Sequence, residues 1–325
     1  IPKWPFDKFC YADRKLGTQM KATGEVMAID RSFESAFLKA LVCLEGSVIG
    51  FRSEQHEKMS REQLVEKLKI ADDGRIYAIS AALRKDFSVE ELHKLTQIDK
   101  WFLYKFQNII KTERKLHTEE FSVELLKMAE SMGFTDEEIS LLTGKPKFII
   151  DTLRRAHNIY PVHKIVDTCA AEFEAQTPYY YSTYEDDDEN VVSNDEKVVV
   201  IGSGPVRIGQ GIEFDYCSVH AIQGIKENNC ESIIINNNPE TVSTDFDIAD
   251  KLYFEPLFIE DVSNVLRQEL PKGVILQFGG QTALNLAPKL SKRGVPILGT
   301  SVASINVAED RKRFEMLLSE LKIKQ

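Results

Sequence analysis

Strand and helix patterns alternate from Lys197 onwards, and this alternation constrains the fold more than any other feature of the sequence. The run KVVVI (197–201) is almost wholly apolar, as expected of a parallel strand that is covered on both faces. Further apolar runs follow, separated by segments long enough for crossover helices: CESIIIN, KLYF, GVILQF and VPILG. Residues 190–325 are therefore predicted to form a Rossmann-like, doubly wound α/β domain with a parallel sheet.

Residues 60–160, in contrast, are predicted to be almost entirely helical. Ser88 with Glu91 and Thr135 with Glu138 have the spacing of a capping box, which marks the start of a helix. One predicted helix, IDKWFLYKFQNIIK, has a wide aromatic stripe that we interpret as core or as a subunit interface. The segment GFTDEEISLLTGKPKFIIDTLRR has the layout of a helix-turn-helix, but its acidic surroundings favour two packed helices of an all-α domain.

The loop GSGPVRIGQG (202–211) joins the first strand to a helix, and loops of this kind often bind phosphate. A dinucleotide-binding loop needs a third glycine where Arg207 stands, and an acidic residue where the second strand ends in three asparagines. The Gly-Lys-Ser/Thr of a P-loop does not follow either, and the next helix begins with a carboxylate, Glu213. An NAD-dependent oxidoreductase is therefore only a weakly supported alternative.

Two more polar loops follow later strands, NNNPETVSTDFD (236–247) and FGGQT (278–282). The carboxyl ends of strands in an open α/β sheet share one edge, where ligands bind. We therefore expect these loops to line one polar cavity with the glycine loop, through Arg207, Glu213, Asn238, Glu240, Thr241, Ser243, Thr244, Asp245 and Gln281. The alternative for any single Asn, Ser or Thr is that it only caps a helix or closes a turn.

Charge and cysteine content argue against several functional classes. The net charge of −10 disfavours a general nucleic-acid or membrane surface. The five cysteines form no C-x-x-C pair, so neither a metal site nor a disulfide framework is indicated. No apolar run approaches the length of a membrane span and no signal peptide is visible, so we expect a cytoplasmic protein. The start at Ile1 and the abrupt end at Gln325 suggest a fragment.

Several long motifs together resemble the large chain of carbamoyl-phosphate synthetases. In chain order they are QMKATGEVMAIDRSFESAFLKAL, VDTCAAEFEAQTPYYYSTYE, GSGPVRIGQGIEFDYCSVHA, NNNPETVSTDFD, KLYFEPL, PKGVILQFGGQT, VPILGTS and AEDRKRF. The resemblance covers nearly the whole chain, is weakest between about residues 50 and 160, and is far more specific than a lone Gly-x-Gly. Ala283 is a departure, since proline often follows the "QT" in this family.

The resemblance implies that this chain is the central part of a longer protein, which is made of two similar halves. Residues 1–45 would be the C-terminal tail of the first ATP-grasp half, and residues 46–165 a helical oligomerisation domain. Residues 166–189 would be an extended connector with an acidic loop. Residues 190–325 would be the pre-ATP-grasp α/β domain of the second half.

The implied activity of the parent protein is that of a ligase. In this family one half phosphorylates bicarbonate, glutamine-derived ammonia gives carbamate, and the other half phosphorylates carbamate, so that two ATP yield carbamoyl phosphate for arginine and pyrimidine biosynthesis. The implied cofactors are ATP, Mg²⁺ or Mn²⁺, and K⁺, none of them held tightly by the fragment. The implied partners are a glutamine amidotransferase small subunit and further copies bound through the helical domain, with no nucleic acid and no membrane.

Four residues match positions that line the family's passage for carbamate: Glu25, Gly211, Glu213 and Glu240. Carboxylates accept hydrogen bonds from the N–H₂ of carbamate, and glycine leaves space that a side chain would block. We therefore expect the glycine loop to help shape this conduit and a wall of the carbamate-phosphorylating site. The residues assigned to the loop and to the cavity wall are Gly202, Gly204, Arg207, Gly209, Asn238, Thr241 and Gln281. No catalytic residue and no metal ligand is expected here, and the fragment is expected to be inactive alone. The alternative function is that of a non-catalytic subunit-assembly module.

Overall fold

The computed structural model describes residues 1–6, 8–44 and 50–325. The predicted domain boundary between residues 45 and 46 therefore lies outside the described residues. The chain forms two compact units. The first unit comprises residues 1–164, 181–189 and 205–208, and the second comprises residues 165–180, 190–204 and 209–325.

The first unit is built mainly from helices, as predicted. A short antiparallel pairing of β1 (Pro2–Lys3) with β2 (Gly24–Glu25) precedes them. The helices are α1 (Phe33–Cys43), α2 (Glu54–Glu57), α3 (Arg61–Lys69), α4 (Arg75–Arg84), α5 (Val89–Thr96), α6 (Lys100–Thr118), α7 (Val123–Ser131), α8 (Asp136–Thr143) and α9 (Lys147–Ala156), and strand β3 (Val162–Ile165) follows them. Their apolar faces meet in one core, which includes Leu64, Leu103, Leu126 and Ile150.

Local signals set the starts of several helices in the first unit. Ser32 caps α1 by accepting a hydrogen bond from Ser35 N–H. The two predicted capping boxes are confirmed at the starts of α5 and α8. Ser60 and Gln63 form a further capping box ahead of α3. Because each of these contacts spans only three residues, the sequence contains the information needed to find them.

Helix α6 buries only part of its predicted aromatic stripe. Phe106, Ile109 and Ile110 are buried in the core, whereas Trp101 and Phe102 keep about half of their surface exposed. Asp99 caps the helix through Trp101 N–H, so these two rings belong to its first turn. Periodicity identified the correct face of the helix, but it could not show where along that face the core ends.

The second unit contains the predicted parallel sheet. Its strands are β4 (Tyr179–Thr183), of which only the first two residues lie in this unit, β5 (Lys197–Ile201), β6 (Glu231–Asn236), β7 (Lys251–Phe254) and β8 (Gly273–Ile275). Within the unit they run in the order β4, β7, β6, β5, β8, and these pairs are all parallel. Strand β5 is buried along its whole length, in agreement with its continuous apolar sequence.

The helices of the second unit follow the predicted alternation, with two corrections. They are α10 (Glu213–Glu227), α11 (Ile259–Glu269), α12 (Gly280–Leu284), α13 (Ala287–Lys292), α14 (Val302–Glu309) and α15 (Arg311–Glu320), together with a turn of 3-10 helix at Val242–Thr244. The apolar pattern predicts one helix over 282–292, with a kink or a late start at Pro288. The structure has α12 and α13 instead, and the proline lies in the first turn of α13.

The first correction concerns the predicted strand VPILG. Ile297 makes a single parallel bridge with Val274 and no regular strand. Two hydrogen bonds hold it, from Val274 N–H to the carbonyl oxygen of Pro296 and from Leu298 N–H to that of Val274, both at 2.9 Å. The second correction concerns α10. Helical spacing predicts an apolar face of Phe214, Cys217, Ala221 and Ile225. The buried residues are Ser218, Ile222 and Ile225, and the other three residues of the predicted face are half-buried. Among the described residues, no helix combines the length and the apolar character needed to cross a membrane.

Candidate functional site

The glycine-rich loop leaves β5 at Gly202 and is fastened to the end of β6. Gly204 N–H donates a hydrogen bond to Asn236 Oδ1 at 3.0 Å, and Asn237 N–H donates to the same oxygen at 2.9 Å. A β carbon at Gly202 would lie 2.5 Å from Asn236 Cγ. Gly204 and Gly209 have φ values of 68° and 88°. Glycine is therefore required here by close packing and by left-handed backbone, whether or not a phosphate binds.

The loop after β8 packs against the same place. A β carbon at Gly279 would lie 2.6 Å from the carbonyl oxygen of Ile201 and would collide with that of Gly202. A β carbon at Gly280 would lie 3.4 Å from Gln210 Nε2. Two of the loops that were expected to share one edge of the sheet are thus in contact.

Several polar atoms at the end of β6 are buried without a partner in the protein. Asn237 has 0% of its surface exposed, and within the described parts of the chain neither its Oδ1 nor its Nδ2 has a hydrogen-bond partner. The same holds for Asn236 Nδ2 and for Ser243 Oγ. An unsatisfied buried polar group costs about 1–3 kcal/mol. The carboxyl edge of the sheet therefore has buried polar atoms that form no hydrogen bond with the described residues.

Sequence reasoning included Ser243 among the cavity residues but did not single out Asn236 or Asn237. The signal was present, because a buried apolar strand that ends in three consecutive asparagines places amides at the carboxyl edge of the sheet. What the sequence could not show is which of these amides has its hydrogen bonds satisfied.

Gly211 and Glu213 lie together on the surface of the second unit. A β carbon at Gly211 would collide with Glu213 Oε2 and would come within 2.9 Å of the carboxyl carbon, so the carboxylate lies directly over the bare glycine. Glu213 is the first residue of α10. Ser243 N–H donates to Asp215 Oδ1 at 3.2 Å, and this bond joins the start of α10 to the 3-10 turn that follows β6.

Asn238, Thr241 and Gln281 make the contacts that turns and caps require. Asn238 Oδ1 accepts a hydrogen bond from Glu240 N–H at 3.0 Å. Thr241 precedes the 3-10 turn, and its carbonyl oxygen, not its side chain, accepts from Thr244 N–H at 3.1 Å. Gln281 Nε2 donates to Asn285 Oδ1 at 3.1 Å across one turn of α12. Glu240 is exposed, so its carboxylate lies at the surface while its backbone closes the turn.

Glu25 and Arg207 belong to the first unit. Glu25 is in β2 and half-buried. A β carbon at the neighbouring Gly24 would collide with the carbonyl oxygen of Val206, so the two backbones touch. A cavity of about 20 Å³ beside them is lined in part by Lys8 and Arg207, and it has room for about one water molecule. The predicted passage residues are thus divided between the two units.

The side chains at the glycine loop do not fit a metal or nucleotide-phosphate site. Among the described residues, no group of three or more His, Cys, Asp or Glu side chains is placed to hold a metal ion. The first charge after the glycine loop, Glu213, would repel a phosphate at the start of α10. We therefore derive no chemical step through ATP or Mg²⁺ from these residues.

Two family models match the chain. Residues 25–158 match the carbamoyl-phosphate synthetase large chain, oligomerisation domain. Residues 194–307 match the carbamoyl phosphate synthase preATP-grasp domain. The first range covers the helices of the first unit, and the second covers the parallel sheet from β5 to β8.

Curated proteins named carbamoyl phosphate synthase large chain are similar over the whole of this chain. The protein from Clostridium acetobutylicum is 57% identical over 328 aligned residues, which cover 100% of this chain and 31% of that protein. Those from Thermoanaerobacter sp. and Caldanaerobacter subterraneus subsp. tengcongensis are each 53% identical over 325 residues, or 30% of their length. The chain thus spans about a third of the length of the relatives that it matches.

Proposed function

This chain belongs to the carbamoyl phosphate synthase large-chain family, and from that premise we propose that it is the central part of a ligase that makes carbamoyl phosphate. The proposed substrates of the whole protein are bicarbonate, glutamine-derived ammonia and ATP, and the proposed pathways are arginine and pyrimidine biosynthesis. Identity of 53–57% to proteins of that name, over the entire chain, supports the proposal.

We propose that the domains follow the predicted limits. Residues 1–45 would end the first ATP-grasp half, residues 46–165 would form the oligomerisation domain, residues 166–189 would connect, and residues 190–325 would open the second half. The two family matches support the helical and the α/β assignments.

Within the parent protein, the proposed task of this chain is to shape the passage of carbamate towards the second site. The observation that supports it most directly is the Glu213 carboxylate over bare Gly211, at an edge where Asn237 and Ser243 keep polar atoms without a protein partner. A carboxylate accepts hydrogen bonds from the N–H₂ of carbamate, and an amide both donates and accepts. Such a lining suits a small polar molecule better than a nucleotide.

Cofactors and partners of the parent protein belong to the same proposal. ATP, Mg²⁺ or Mn²⁺, and K⁺ would bind outside this chain, and the fragment would be inactive alone. A glutamine amidotransferase subunit would supply ammonia. The cytoplasmic location stays a prediction. The match to an oligomerisation domain supports self-association through the first unit.

The test is Glu213→Gln in the full-length parent protein. Overall carbamoyl-phosphate synthesis is measured beside two half-reactions, bicarbonate-dependent ATP hydrolysis and ATP formation from carbamoyl phosphate. If the carboxylate serves the passage, we expect synthesis to fall at least about tenfold while both half-reactions stay close to wild type, since each is confined to one active site.

Glu227→Gln is the matched control, because Glu227 is an exposed carboxylate at the other end of α10. It should leave all three rates unchanged. A loss of ATP formation from carbamoyl phosphate in Glu213→Gln would instead place this carboxylate in the second active site. Unchanged synthesis would refute both roles.

A non-catalytic assembly module is the second candidate function. The observation that favours it is the match of residues 25–158 to an oligomerisation domain. The two proposals are compatible within one large chain, because they concern different units. A parent protein that stays fully active as a monomer would separate them, since assembly would then have no part in the catalysis.

A further inference from the structure

A buried cluster of charged side chains lies where the chain returns to the first unit. After residues 165–180, which belong to the second unit, residues 181–189 belong to the first unit again and are called the return segment. Tyr184 of this segment joins a cluster formed by Glu130 of α7, Asp136 of α8 and Arg154 of α9. The three charged residues are 5%, 8% and 6% exposed. Four parts of the first unit therefore share one set of buried polar contacts.

Arg154 is shared between the two carboxylates of the cluster. Its Nη1 lies 3.1 Å from both oxygens of Asp136, and its Nε lies 3.5 Å from Glu130 Oε1. Its Nη2 donates a hydrogen bond to the Tyr184 hydroxyl oxygen at 3.4 Å, and that hydroxyl donates to Glu130 Oε2 at 2.6 Å. The return segment is thus bound to the helices through the cluster itself.

The cluster has one cation for two carboxylates. If both carboxylates were ionised, one buried negative charge would be left without a counter-ion. Such a charge is costly, and a buried carboxyl takes up a proton instead. Burial, and then repulsion by Asp136, accordingly raise the pKa of Glu130 well above its ordinary value, although Arg154 and the Tyr184 hydroxyl oppose the rise. Burial and the charge of Glu130 raise the pKa of Tyr184 as well, so its hydroxyl remains a donor.

The return segment is the side of the cluster that can give way to water. Helices α7 and α9 are anchored by the core residues Leu126 and Ile150. The residues that follow Tyr184, in contrast, are exposed from 185 to 188. An ionised Glu130 would therefore be hydrated at the least cost by a local movement of the return segment away from the helices.

Charged groups of other elements also face the return segment. They contact it through Ser182, Thr183, Glu185 and Asp188, and they are Asp30, Arg31, Lys39, His163 and Lys164. These contacts restrict the movement to a local loosening around Tyr184. They are also the alternative source of any pH dependence, so the experiment has to separate them from the cluster.

We propose that Glu130 and Asp136 hold one proton between them at neutral pH, and that this proton keeps Tyr184 and the return segment docked on α7, α8 and α9. As the pH rises, the docked cluster must either keep a proton that the solvent would remove or bury an uncompensated charge, so the segment loosens. Because docking raises the pKa of Glu130 above 4.5, docking is strongest below that pH and weakens as the pH approaches the raised value. This latch concerns the first unit alone and does not depend on the proposed passage of carbamate.

Infrared difference spectroscopy of the 325-residue chain tests the proton directly, because a protonated carboxyl group and a carboxylate absorb at different frequencies. We expect a protonated-carboxyl band at pH 7 that is absent from Glu130→Gln and that disappears from the wild type between pH 7 and pH 10. Glu138 also titrates near pH 7, and its band should remain in Glu130→Gln. Identical bands in the wild type and Glu130→Gln, or a band that persists at pH 10, would overturn the proposal.

Hydrogen exchange followed by mass spectrometry tests the latch. Exchange of the amides of residues 181–189 is measured at pH 5 and pH 8 and divided by the intrinsic rate at each pH. The corrected rate of the wild type should rise at least about tenfold, since each unit of pKa shift changes the opening equilibrium by a factor of ten. Peptides of β5 in the same sample are the reference and should show no such rise.

Glu130→Gln and Asp136→Asn should each abolish this rise, because either change leaves Arg154 with a single carboxylate. The use of both variants keeps the test valid if one of them fails to fold. Glu124→Gln is the matched control, since Glu124 is an exposed carboxylate of α7, and it should keep the rise. A rise that persists in both variants would come from another charged group that faces the segment and would overturn the proposal. Equal corrected rates at pH 5 and pH 8 in the wild type would overturn it as well.

Discussion

The two edges of the sheet in the second unit treat buried polar groups in opposite ways. At the amino edge, the carboxylate of Glu269 lies among Lys197, Lys251, Tyr253 and Asn190, all of which reach it through ion pairs or hydrogen bonds. At the carboxyl edge, buried amide and hydroxyl atoms have no partner within the described residues. The first edge surrounds its buried carboxylate with cations and donors, although Glu269 Oε2 has an ion pair with Lys197 and no hydrogen bond among the described residues. At the second edge, no charged group among the described residues plays this part for the unpaired amide and hydroxyl atoms.

The pKa of Glu269 shows the effect of this pairing at the amino edge. Burial alone would favour the neutral acid, but hydrogen bonds from Tyr253, Lys251 and Asn190 hold the pKa of Glu269 below its ordinary value. The carboxylate is therefore charged throughout the physiological range. Charged groups that are paired in this way fix the strand starts, since Lys197 and Lys251 are the first residues of β5 and β7.

The largest loss of stability is expected from Glu269→Gln, which removes the buried carboxylate at the amino edge. This change removes the carboxylate that pairs with Lys197 at 3.3 Å and leaves Lys251 with Glu231 at 3.7 Å. Breaking a buried pair in this way typically costs about 3–5 kcal/mol of unfolding free energy. Urea unfolding followed by far-UV circular dichroism measures it. Fluorescence of Trp4 and Trp101, which both lie in the first unit, follows that unit separately. A loss below about 1 kcal/mol would show that the pairing contributes little.

Glu138, a buried carboxylate of the first unit, differs from Glu269 because its pKa is raised and not lowered. Burial and repulsion by Glu113 and Glu137 outweigh the hydrogen bonds from Thr135 and raise the pKa of Glu138 to about 7. Because the folded pKa lies above the unfolded one, the stability that Glu138 contributes is full below about pH 4.5 and is lost as the pH rises through 7. The loss amounts to roughly 3 kcal/mol at most.

Glu138→Gln should remove this pH dependence. Glutamine keeps the capping box and carries no charge, so the variant should unfold at higher urea than wild type at pH 8 and at similar urea at pH 5. Tryptophan fluorescence is the readout. Glu91→Gln, in the exposed capping box of α5, is the control, and it should not remove the pH dependence. If the stability of Glu138→Gln depends on pH as that of the wild type does, the Glu138 carboxyl is hydrated in the folded protein.

A side chain added to the glycine loop after β8, at the carboxyl edge, is expected to lower the free energy of unfolding. Gly279→Ala would place a β carbon against the carbonyls of Ile201 and Gly202, and overpacking of this kind costs about 1–3 kcal/mol. Gly224→Ala is the matched control within α10, where nothing lies near the added carbon, and it should stabilise the chain by about 1 kcal/mol. Equal effects of the two changes in urea unfolding would mean that the loops do not pack as described.

The smallest loss of stability is expected from Asn237→Leu. Its amide forms no hydrogen bond with the described residues, so an apolar side chain removes the cost of burying it and should leave the unfolding free energy unchanged or raise it. Asn190→Leu is the counterpart at the amino edge and should cost about 1.5–3 kcal/mol, because Asn190 Nδ2 donates to the charged Glu269 at 2.9 Å. If the two variants lose the same stability, the difference between the edges does not exist.

Local features of this fold could be predicted from the sequence, and tertiary ones could not. Ser88–Glu91 and Thr135–Glu138 were both found from spacing, yet one carboxylate is exposed and the other is buried with a raised pKa. Spacing fixes the hydrogen bonds, while neighbouring helices fix the burial. The continuous apolar run of β5 likewise identified a central strand, whereas VPILG lies beside β8 as a single parallel bridge and not as a strand.

The candidate site shows the same limit. The three polar loops could be placed at one edge from strand order alone, and the two that contain glycine are in contact. The orphaned atoms of Asn237 could not be foreseen, because a hydrogen bond that is missing depends on every surrounding residue. The roles of Glu25, Gly211, Glu213 and Glu240 stay predictions until the half-reactions are measured.

The contact between Gly24 and Val206 has a consequence for synthesis on the ribosome. Residues 205–208 complete the first unit, and Lys8 Nζ donates to the carbonyl oxygen of Ile208, 200 residues further along the chain. At about 5–20 residues per second, translation needs roughly 10–40 s to cover that distance. The N-terminal segment therefore emerges long before its partner exists, and during that time the nascent chain must keep a surface open that the finished protein closes.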